Sequence, residues 1–534
     1  MSGLAPALSD SLLRLLPPPP QADAALLQPV VTALCQALER GELGIDLEAP
    51  PPEGIAAEGW PELQLEALAA AGWLEEVIVR DGSWLRWRRW HGQLQQCLEQ
   101  ITSRSQQAHQ PTPPAAGLQA VRRITEAAGL DAQQSAAVSA LLQQRLVLLL
   151  GGPGTGKTST VATMLRAALV LEPQLRVQLA APTGKAAARL AEALAEALDP
   201  EQQRPCSTLH RLLEARGGGR FGRNARRPLE LDLLVVDEVS MVDLPLMAAL
   251  LAALPDEARL VLVGDPGQLP PVGTGAVLEE LCRPDQRQRL GAAVVELSTT
   301  YRNNGAIAGI AAALRDTPPG AATSGNTVQA LRPQLEQLSS HDNLHWLEAP
   351  VQLLPAAVLE ALEEQQQRLA QLCRTLRWIG AEPHPEDSAA LLSQLEQRIA
   401  LSPVRQGPWG VEALHRALLG AAALAPLERW PLGTPVLNRR NRPEQELANG
   451  DTGVLVQRDG ETWVLMGSGR LLHPARLAGA EPALALTVHK AQGSQYREVL
   501  LLAAPSRHSD ARLLYTGLTR ARERAVLVTP AGHP

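Results

Sequence analysis

No apolar run in the 534-residue sequence approaches the roughly 18 residues that a membrane span needs, so a membrane-embedded activity is not expected. The first twenty residues, MSGLAPALSDSLLRLLPPPP, hold a short apolar patch without a basic segment ahead of it and run into prolines. That pattern argues against a secretory signal, and the expectation is a cytoplasmic protein without membrane partners. Cysteine pairs are missing as well. Cys35, Cys97, Cys206, Cys282 and Cys373 lie far apart with no C-x-x-C, which removes both a zinc site and a disulfide framework. Positive charge is not in excess, since 49 Lys and Arg stand against 56 Asp and Glu for a net charge of -7. Bulk electrostatic attraction to nucleic acid is thereby excluded. A local groove that grips a single strand by stacking and backbone contacts is not. The basic residues are clustered, around Arg211 to Arg227 and Arg439 to Arg442.

What is present is a soluble globular composition, 45% hydrophobic and 20% charged. One core rarely serves more than about 250 to 300 residues, so three or four domains are expected. The chain is organised around Arg145 to Thr160, RLVLLLGGPGTGKTST. An aliphatic run, Leu146 to Leu150, ends abruptly in glycines, as a buried parallel strand does when it feeds a phosphate-binding turn. Gly151, Gly152, Pro153, Gly154, Thr155 and Gly156 predict a backbone folded tightly enough for its N–H groups to surround phosphate oxygens, with a helix N-terminus adding its positive dipole end. Lys157 reaches the outer phosphates and the Thr158 hydroxyl holds magnesium, so the expected cofactors are ATP and Mg2+.

Residues 1–115, rich in Ala, Leu and Pro, predict a small, mostly helical N-terminal domain that ends in a proline-rich linker. Its unusual segment is Trp84-Leu-Arg-Trp-Arg-Arg-Trp90, basic and aromatic together. The expected use is a partly buried strand or helix start that packs against a neighbour or a partner protein. From residue 116 to about 325, short aliphatic runs alternate with helical stretches, as a parallel sheet with crossover helices requires. The expected strands are Leu146–Leu150, Val177–Ala181, Leu233–Val236, Leu260–Val263 and Val294–Leu297. A glycine- and arginine-rich insert at about 214–228, with the sole phenylalanine Phe221, predicts a basic hairpin or a surface loop. Residues 326–534 predict a second α/β domain. It opens with helical, glutamine-rich sequence to about Ile399 and carries a small antiparallel insert at about 430–480, with turns at Asn449-Gly-Asp451 and Arg458-Asp-Gly460. Glu498–Ala503 and Arg524–Thr529 are expected to close it as buried strands.

The strand Leu233–Val236 ends in Asp237-Glu238. One carboxylate there can hold magnesium and the next can polarise the attacking water, which phosphoryl transfer requires. The next strand ends in Gly264-Asp-Pro-Gly-Gln268, placing a glutamine to orient that water. Arg302, in Thr300-Tyr-Arg302, and Arg520, in Tyr515-Thr-Gly-Leu-Thr-Arg520, offer guanidinium groups that can neutralise charge on the transferring phosphate when a cleft closes. No Asp/Glu/Lys cluster outside these motifs has metal-binding spacing, so nuclease activity is expected only through another chain.

GGPGTGKT, APTGKAAARL, TLHRLL, VVDEVSMVD, VGDPGQLPPVGTG, TTYR, TVHKAQGSQ and YTGLTRAR stand in the order and spacing of the superfamily 1 helicases. DEVSMVD, GDPGQLPPVGTG and HKAQGSQ look specifically like the RecD family, the α subunit of bacterial exodeoxyribonuclease V, over about Leu130 to Val528. The resemblance implies an α/β fold of two RecA-like P-loop motor domains, with an SH3-like barrel as the insert. It further implies an ATP-dependent helicase moving 5′ to 3′ on single-stranded DNA, fed at duplex ends, in a heterotrimer with RecB-like and RecC-like subunits. By the same resemblance Gln134 reads adenine, Tyr301 stacks on the base, Arg302 and Arg520 are arginine fingers, and Gln495 contacts ribose where the family usually has Glu. Pro182, Thr183, His210, Thr487 and His489 match positions that face the single strand. Two alternatives remain open at this point: a RecD-like helicase that acts alone, and an ATP-binding clamp or scaffold without motor activity.

Overall fold

A computed structural model describes residues 4–16, 23–107, 115–199, 204–300, 305–317, 324–440, 442, 445, 447–504 and 510–531. Two parallel sheets dominate it. The first has six strands in the order Val294–Leu297, Leu146–Gly151, Arg259–Gly264, Leu233–Val236, Val177–Ala181, Cys206–Thr208, all parallel. The five strands expected here are present, and Cys206–Thr208 adds a short edge strand that its polar sequence concealed. Leu146 to Leu150 are each fully buried because helices cover both faces. Alternate side chains divide between the two covers. Leu146, Leu148 and Leu150 join the core under the helix Leu244–Ala253, while Val147 and Leu149 pack under the helices Ala132–Gln143 and Lys157–Leu171.

The second sheet is also parallel, in the order Leu344–Ala349, Ala521–Pro530, Tyr496–Leu502, Arg398–Ser402, Ala485–Thr487. Its first strand, together with a hairpin of Trp378–Ile379 and Glu382–Pro383, interrupts the stretch to Ile399 that the sequence reads as helical. Leu344–Ala349 is an edge strand with much of its surface toward solvent, so it lacks the continuous apolar run that marks a central strand. A five-stranded antiparallel sheet of Pro435–Leu437, Thr452–Arg458, Glu461–Met466, Leu471–Leu472 and Glu481–Pro482 interrupts this second unit. The expected Arg458-Asp-Gly460 turn joins its two longest strands, with Asp459 and Gly460 both at positive φ, 51° and 83°.

One buried histidine sets the acid limit of the second unit. His415, on the helix Val411–Leu419, accepts the Ala485 N–H at Nε2 (3.2 Å) and is 6% exposed. Burial pushes its pKa down from 6.5 to about 4 against the opposing pull of Glu481. The neutral ring is therefore the folded form, and the stability it confers is complete above pH 6.5 and lost as pH falls towards 4. At about 1.4 kcal/mol per unit, the loss by pH 4 is on the order of 3 kcal/mol. Urea titrations at pH 7 and pH 4.5 are expected to show this drop, and His415→Gln is expected to flatten it.

The N-terminal region, expected to be mostly helical, combines helices with a small sheet. Helices Ala24–Glu39 and Glu62–Ala70 pack with an antiparallel sheet ordered Gly44–Asp46, Trp84–Trp87, Ile78–Asp81. The basic aromatic segment is the central strand of that sheet followed by the start of the helix Arg88–Gln106. Arg86 is 1% exposed, with its guanidinium fork on Glu280 (2.9 Å) and Asp81 at 3.2 Å. The Trp84 ring lies 5.1 Å from both the Arg86 and the Arg283 guanidinium groups. The helix then leaves this sheet and runs beneath the first parallel one. Leu94, Cys97, Leu98 and Ile101, at helical spacing, enter the same core as Leu148 and Leu234. Buried Arg104 donates to the carbonyls of Asp256, Ala258, Leu254 and Pro255.

Candidate nucleotide and single-strand site

The strand Leu146–Gly151 delivers the chain to a glycine loop, and the helix Lys157–Leu171 takes it away. Gly154 and Gly156 have φ of 74° and 79°, where a side chain is strained. A Cβ on Gly151 would stand 2.6 Å from Thr155 Oγ1, and one on Gly156 would stand 2.5 Å from Gln134 Nε2. Lys157 Nζ donates to the carbonyls of Gly151 and Gly152 at 2.7 and 2.8 Å, which holds its ammonium over the loop. Gln134 completes a capping box: its Oε1 accepts the Asp131 N–H, the Asp131 carboxylate accepts the Gln134 N–H, and Gln134 Nε2 points to Thr155 O at 3.4 Å. Beside it opens a cavity of about 400 Å³ lined by Gly129, Leu130, Gln134, Gly156 and Ser159.

Asp237 and Glu238 leave the strand Leu233–Val236, one strand beyond Arg259–Gly264, at the same edge. Glu238 adopts φ 53°, rare for a residue with a side chain, and its N–H donates to Asp237 Oδ1 at 2.8 Å. Burial and the adjacent Glu238 charge push the Asp237 carboxyl up to about 7, and Lys157 pulls the other way. A carboxylate pair this poorly compensated suits a divalent cation. Among the described residues no group of three or more His, Cys, Asp or Glu is placed to hold a metal unaided. The glycine cradle, which a Cβ would fill, fits phosphates, and the buried Asp237 carboxyl beside Lys157 fits a cation that comes with them.

From the next strand, Arg259–Gly264, comes the loop bearing Gln268. Asp265, 1% exposed, accepts from the Gly267 N–H (3.0 Å), Gln268 Nε2 (3.2 Å) and the Tyr515 hydroxyl (2.9 Å). Tyr515 belongs to the second unit, on the helix Ala511–Leu518. Its neighbour Thr516 accepts the Leu269 N–H at 2.9 Å, and Gln492 Nε2 donates to Leu269 O at 3.1 Å. A Cβ on Gly152 would lie 3.2 Å from Tyr515 Oη, so the second unit reaches the phosphate loop itself. Sequence reasoning named Gln268 and Arg520 in these motifs but missed Asp265, Gln492, Tyr515 and Thr516. All four stand inside the same short phrases, yet nothing in a linear pattern pairs a residue near 265 with one near 515.

Arg520 is 2% exposed, its guanidinium bonded to Thr516 O, Ser494 O and Thr519 Oγ1 within its own unit. Tyr301 and Arg302 lie outside the described residues. The main-chain carbonyl of Gln495 accepts Arg189 Nη2, from the helix Gly184–Ala197, at 2.7 Å.

The positions matched to the single strand lie at strand ends and in the turns and short helices that follow them, in both units. Pro182 and Thr183 follow the strand Val177–Ala181, and Thr183 caps the next helix through the Ala186 N–H. Thr487 ends the strand Ala485–Thr487, and its Oγ1 accepts the Lys490 N–H at 3.4 Å. The two sides meet, since a Cβ on Gly493 would lie 3.1 Å from Thr183 Oγ1. Burial lowers the His489 pKa, with Asp510 opposing. His210 lies 6.2 Å from the Phe221 ring, at the base of the hairpin formed by Ala215–Arg216 and Arg220–Phe221.

A family described as AAA domain matches residues 134–274, and one described as UvrD-like helicase C-terminal domain matches residues 482–528. The RecBCD enzyme subunit RecD of Mycolicibacterium smegmatis is 38% identical over 424 residues, 75% of this chain and 71% of that one. The subunit of the same description from Haemophilus influenzae is 30% identical over 442 residues, 73% of this chain and 67% of that one. The ATP-dependent RecD2 DNA helicase of Deinococcus radiodurans is 34% identical over 409 residues, 74% of this chain and 48% of that one. With two parallel sheets meeting over a glycine cradle and this extent of shared sequence, the chain belongs to the RecD family of superfamily 1 helicases.

Proposed function

We propose that the chain is an ATP-driven motor that moves 5′ to 3′ on single-stranded DNA, as the RecD-like subunit of a RecBCD-type helicase and nuclease acting in double-strand break repair and recombination. One observation carries the motor reading: the loop from Asp265 to Leu269 begins at the edge that bears the phosphate cradle and is held by Tyr515, Thr516 and Gln492 of the other unit. A change at the phosphates is thus mechanically tied to the spacing of the two units, between which Thr183 and Gly493 face each other.

In this reading the glycine loop N–H groups and Lys157 bind the triphosphate, and Gln134 borders the base. Thr158 and Asp237 hold magnesium, which when bound supplies charge neutralisation on the phosphate oxygens. Glu238 takes the proton of the attacking water and Gln268 orients that water. Arg302 and Arg520 serve as arginine fingers, Tyr301 stacks on the base and Gln495 meets the ribose. Pro182, Thr183, His210, Thr487 and His489 contact the strand. The antiparallel insert is an SH3-like module, and the N-terminal region docks to RecB-like and RecC-like subunits. Cytoplasmic residence accords with the absence, among the described residues, of any helix long and apolar enough to cross a membrane.

The test is hydrolysis of ATP by the full chain with and without single-stranded DNA, alone and with candidate partner subunits. Streptavidin displacement from biotinylated oligonucleotides gives direction. The expected result is DNA-stimulated turnover and displacement from the 3′ end only. Turnover indifferent to DNA would remove the motor, and displacement from the 5′ end would reverse it.

A further inference from the structure

Gln268 is 5% exposed, and its two amide atoms are treated differently: Nε2 is held by Asp265, whereas Oε1 is buried without a hydrogen-bond partner among the described residues. An unpartnered buried carbonyl oxygen costs stability unless something donates to it. The direction of the amide is fixed by its neighbour. The Gly267 N–H, Gln268 Nε2 and the Tyr515 hydroxyl all converge on the Asp265 carboxylate, which has only acceptors to offer, so the NH₂ of Gln268 must face it and Oε1 must face away. One of those three donors crosses the cleft.

We propose that Tyr515 is a positioning residue for ATP hydrolysis: its hydroxyl fixes Asp265, Asp265 fixes the Gln268 amide, and Gln268 Oε1 is thereby presented as the acceptor for the attacking water only while the two units are packed together. The inference rests on the motor reading above and gives it a physical switch. Burial, reinforced by Asp265, raises the Tyr515 pKa, so the hydroxyl remains a donor throughout the neutral range. Without it Asp265 keeps two donors and can rotate, and the Gln268 amide can flip to present NH₂ to the water.

The experiment is Tyr515→Phe in the full chain, which deletes a single oxygen from a side chain 2% exposed. Three readouts are expected to move together. Without nucleotide, the Gly267 amide is expected to exchange with solvent about tenfold faster, because an Asp265 free to rotate holds it less firmly. With ATP and single-stranded DNA, kcat is expected to fall about 10- to 100-fold while KM for ATP changes less than about twofold. In a Gln268→Ala background the same substitution is expected to change kcat no further, because the two act in series. Arg512→Gln removes another bridge from the same helix to the first unit, Arg512 to the Glu279 carboxylate, without touching the Asp265 cluster, and is expected to keep kcat near wild type. Unchanged exchange at Gly267, a Tyr515→Phe kcat within about twofold of wild type, additivity with Gln268→Ala, or equal damage from Arg512→Gln would each overturn the proposal. If Lys157→Gln still hydrolyses ATP with DNA, the motor reading fails instead, and the exchange result still decides whether Tyr515 orders the loop.

Discussion

Lys157→Ala is expected to abolish DNA-stimulated ATP hydrolysis, with kcat falling by at least about 10²- to 10³-fold, while the chain stays folded. Removing one group aimed at developing charge in a water-poor site has effects of that size. The side chain makes two hydrogen bonds, both to loop carbonyls at Gly151 and Gly152, so the structural loss is modest, about 1 kcal/mol each at most. A melting temperature within a few degrees of wild type and steady-state hydrolysis with single-stranded DNA check the two halves. Lys157 also opposes the upward push on Asp237. Its removal takes a positive charge from the same place and raises that carboxyl further. A variant that retained DNA-stimulated turnover would show that the cradle does not serve hydrolysis.

Glu280→Ala is expected to loosen the N-terminal sheet from the first motor sheet at a cost of about 3 kcal/mol. Arg86 is all but inaccessible, and Glu280 is the partner that its two terminal nitrogens share. Breaking such a pair leaves a buried cation short of a counter-charge, for which 3 to 5 kcal/mol is typical. Asp81 stays at 3.2 Å and holds the loss to the lower end. Urea unfolding followed by tryptophan fluorescence is the measurement, because Trp84 lies against both Arg86 and Arg283. Replacing both partners, Arg86→Met with Glu280→Leu, is expected to recover most of the stability. Failure of the double variant to do so would mean that the charges, rather than the volume they fill, hold the junction.

The parts of this fold written in local pattern were legible in the sequence. Leu146 to Leu150 followed by Gly151 could hardly be another structure, and the strands Leu233–Val236 and Val177–Ala181 were readable for the same reason: central parallel strands are apolar on both faces. Edge strands were not. Leu344–Ala349 and Cys206–Thr208 carry polar and partly exposed side chains, so no apolar run announces them. At the site, the residues that define the phosphate cradle are contiguous and were found together. Tyr515 and Asp265 are joined only by folding, and each alone looks like an ordinary motif neighbour. Trp84 to Trp90 was readable as a partly buried strand and helix start packed on a neighbour, but nothing in the run showed that the neighbours of Arg86 would be Glu280 and Asp81.

The helix Arg88–Gln106 has a practical bearing on anyone wishing to shorten the gene. The proline-rich break after it looks like a natural place to cut, but a product starting there would lack Leu94, Cys97, Leu98 and Ile101 and leave a greasy trough along one side of the ATPase sheet. It would also strip Arg104 from the four carbonyls it bridges near Asp256. The smallest workable engine therefore has to begin upstream of residue 88, and this helix is better thought of as the first rib of the motor than as the last piece of its neighbour.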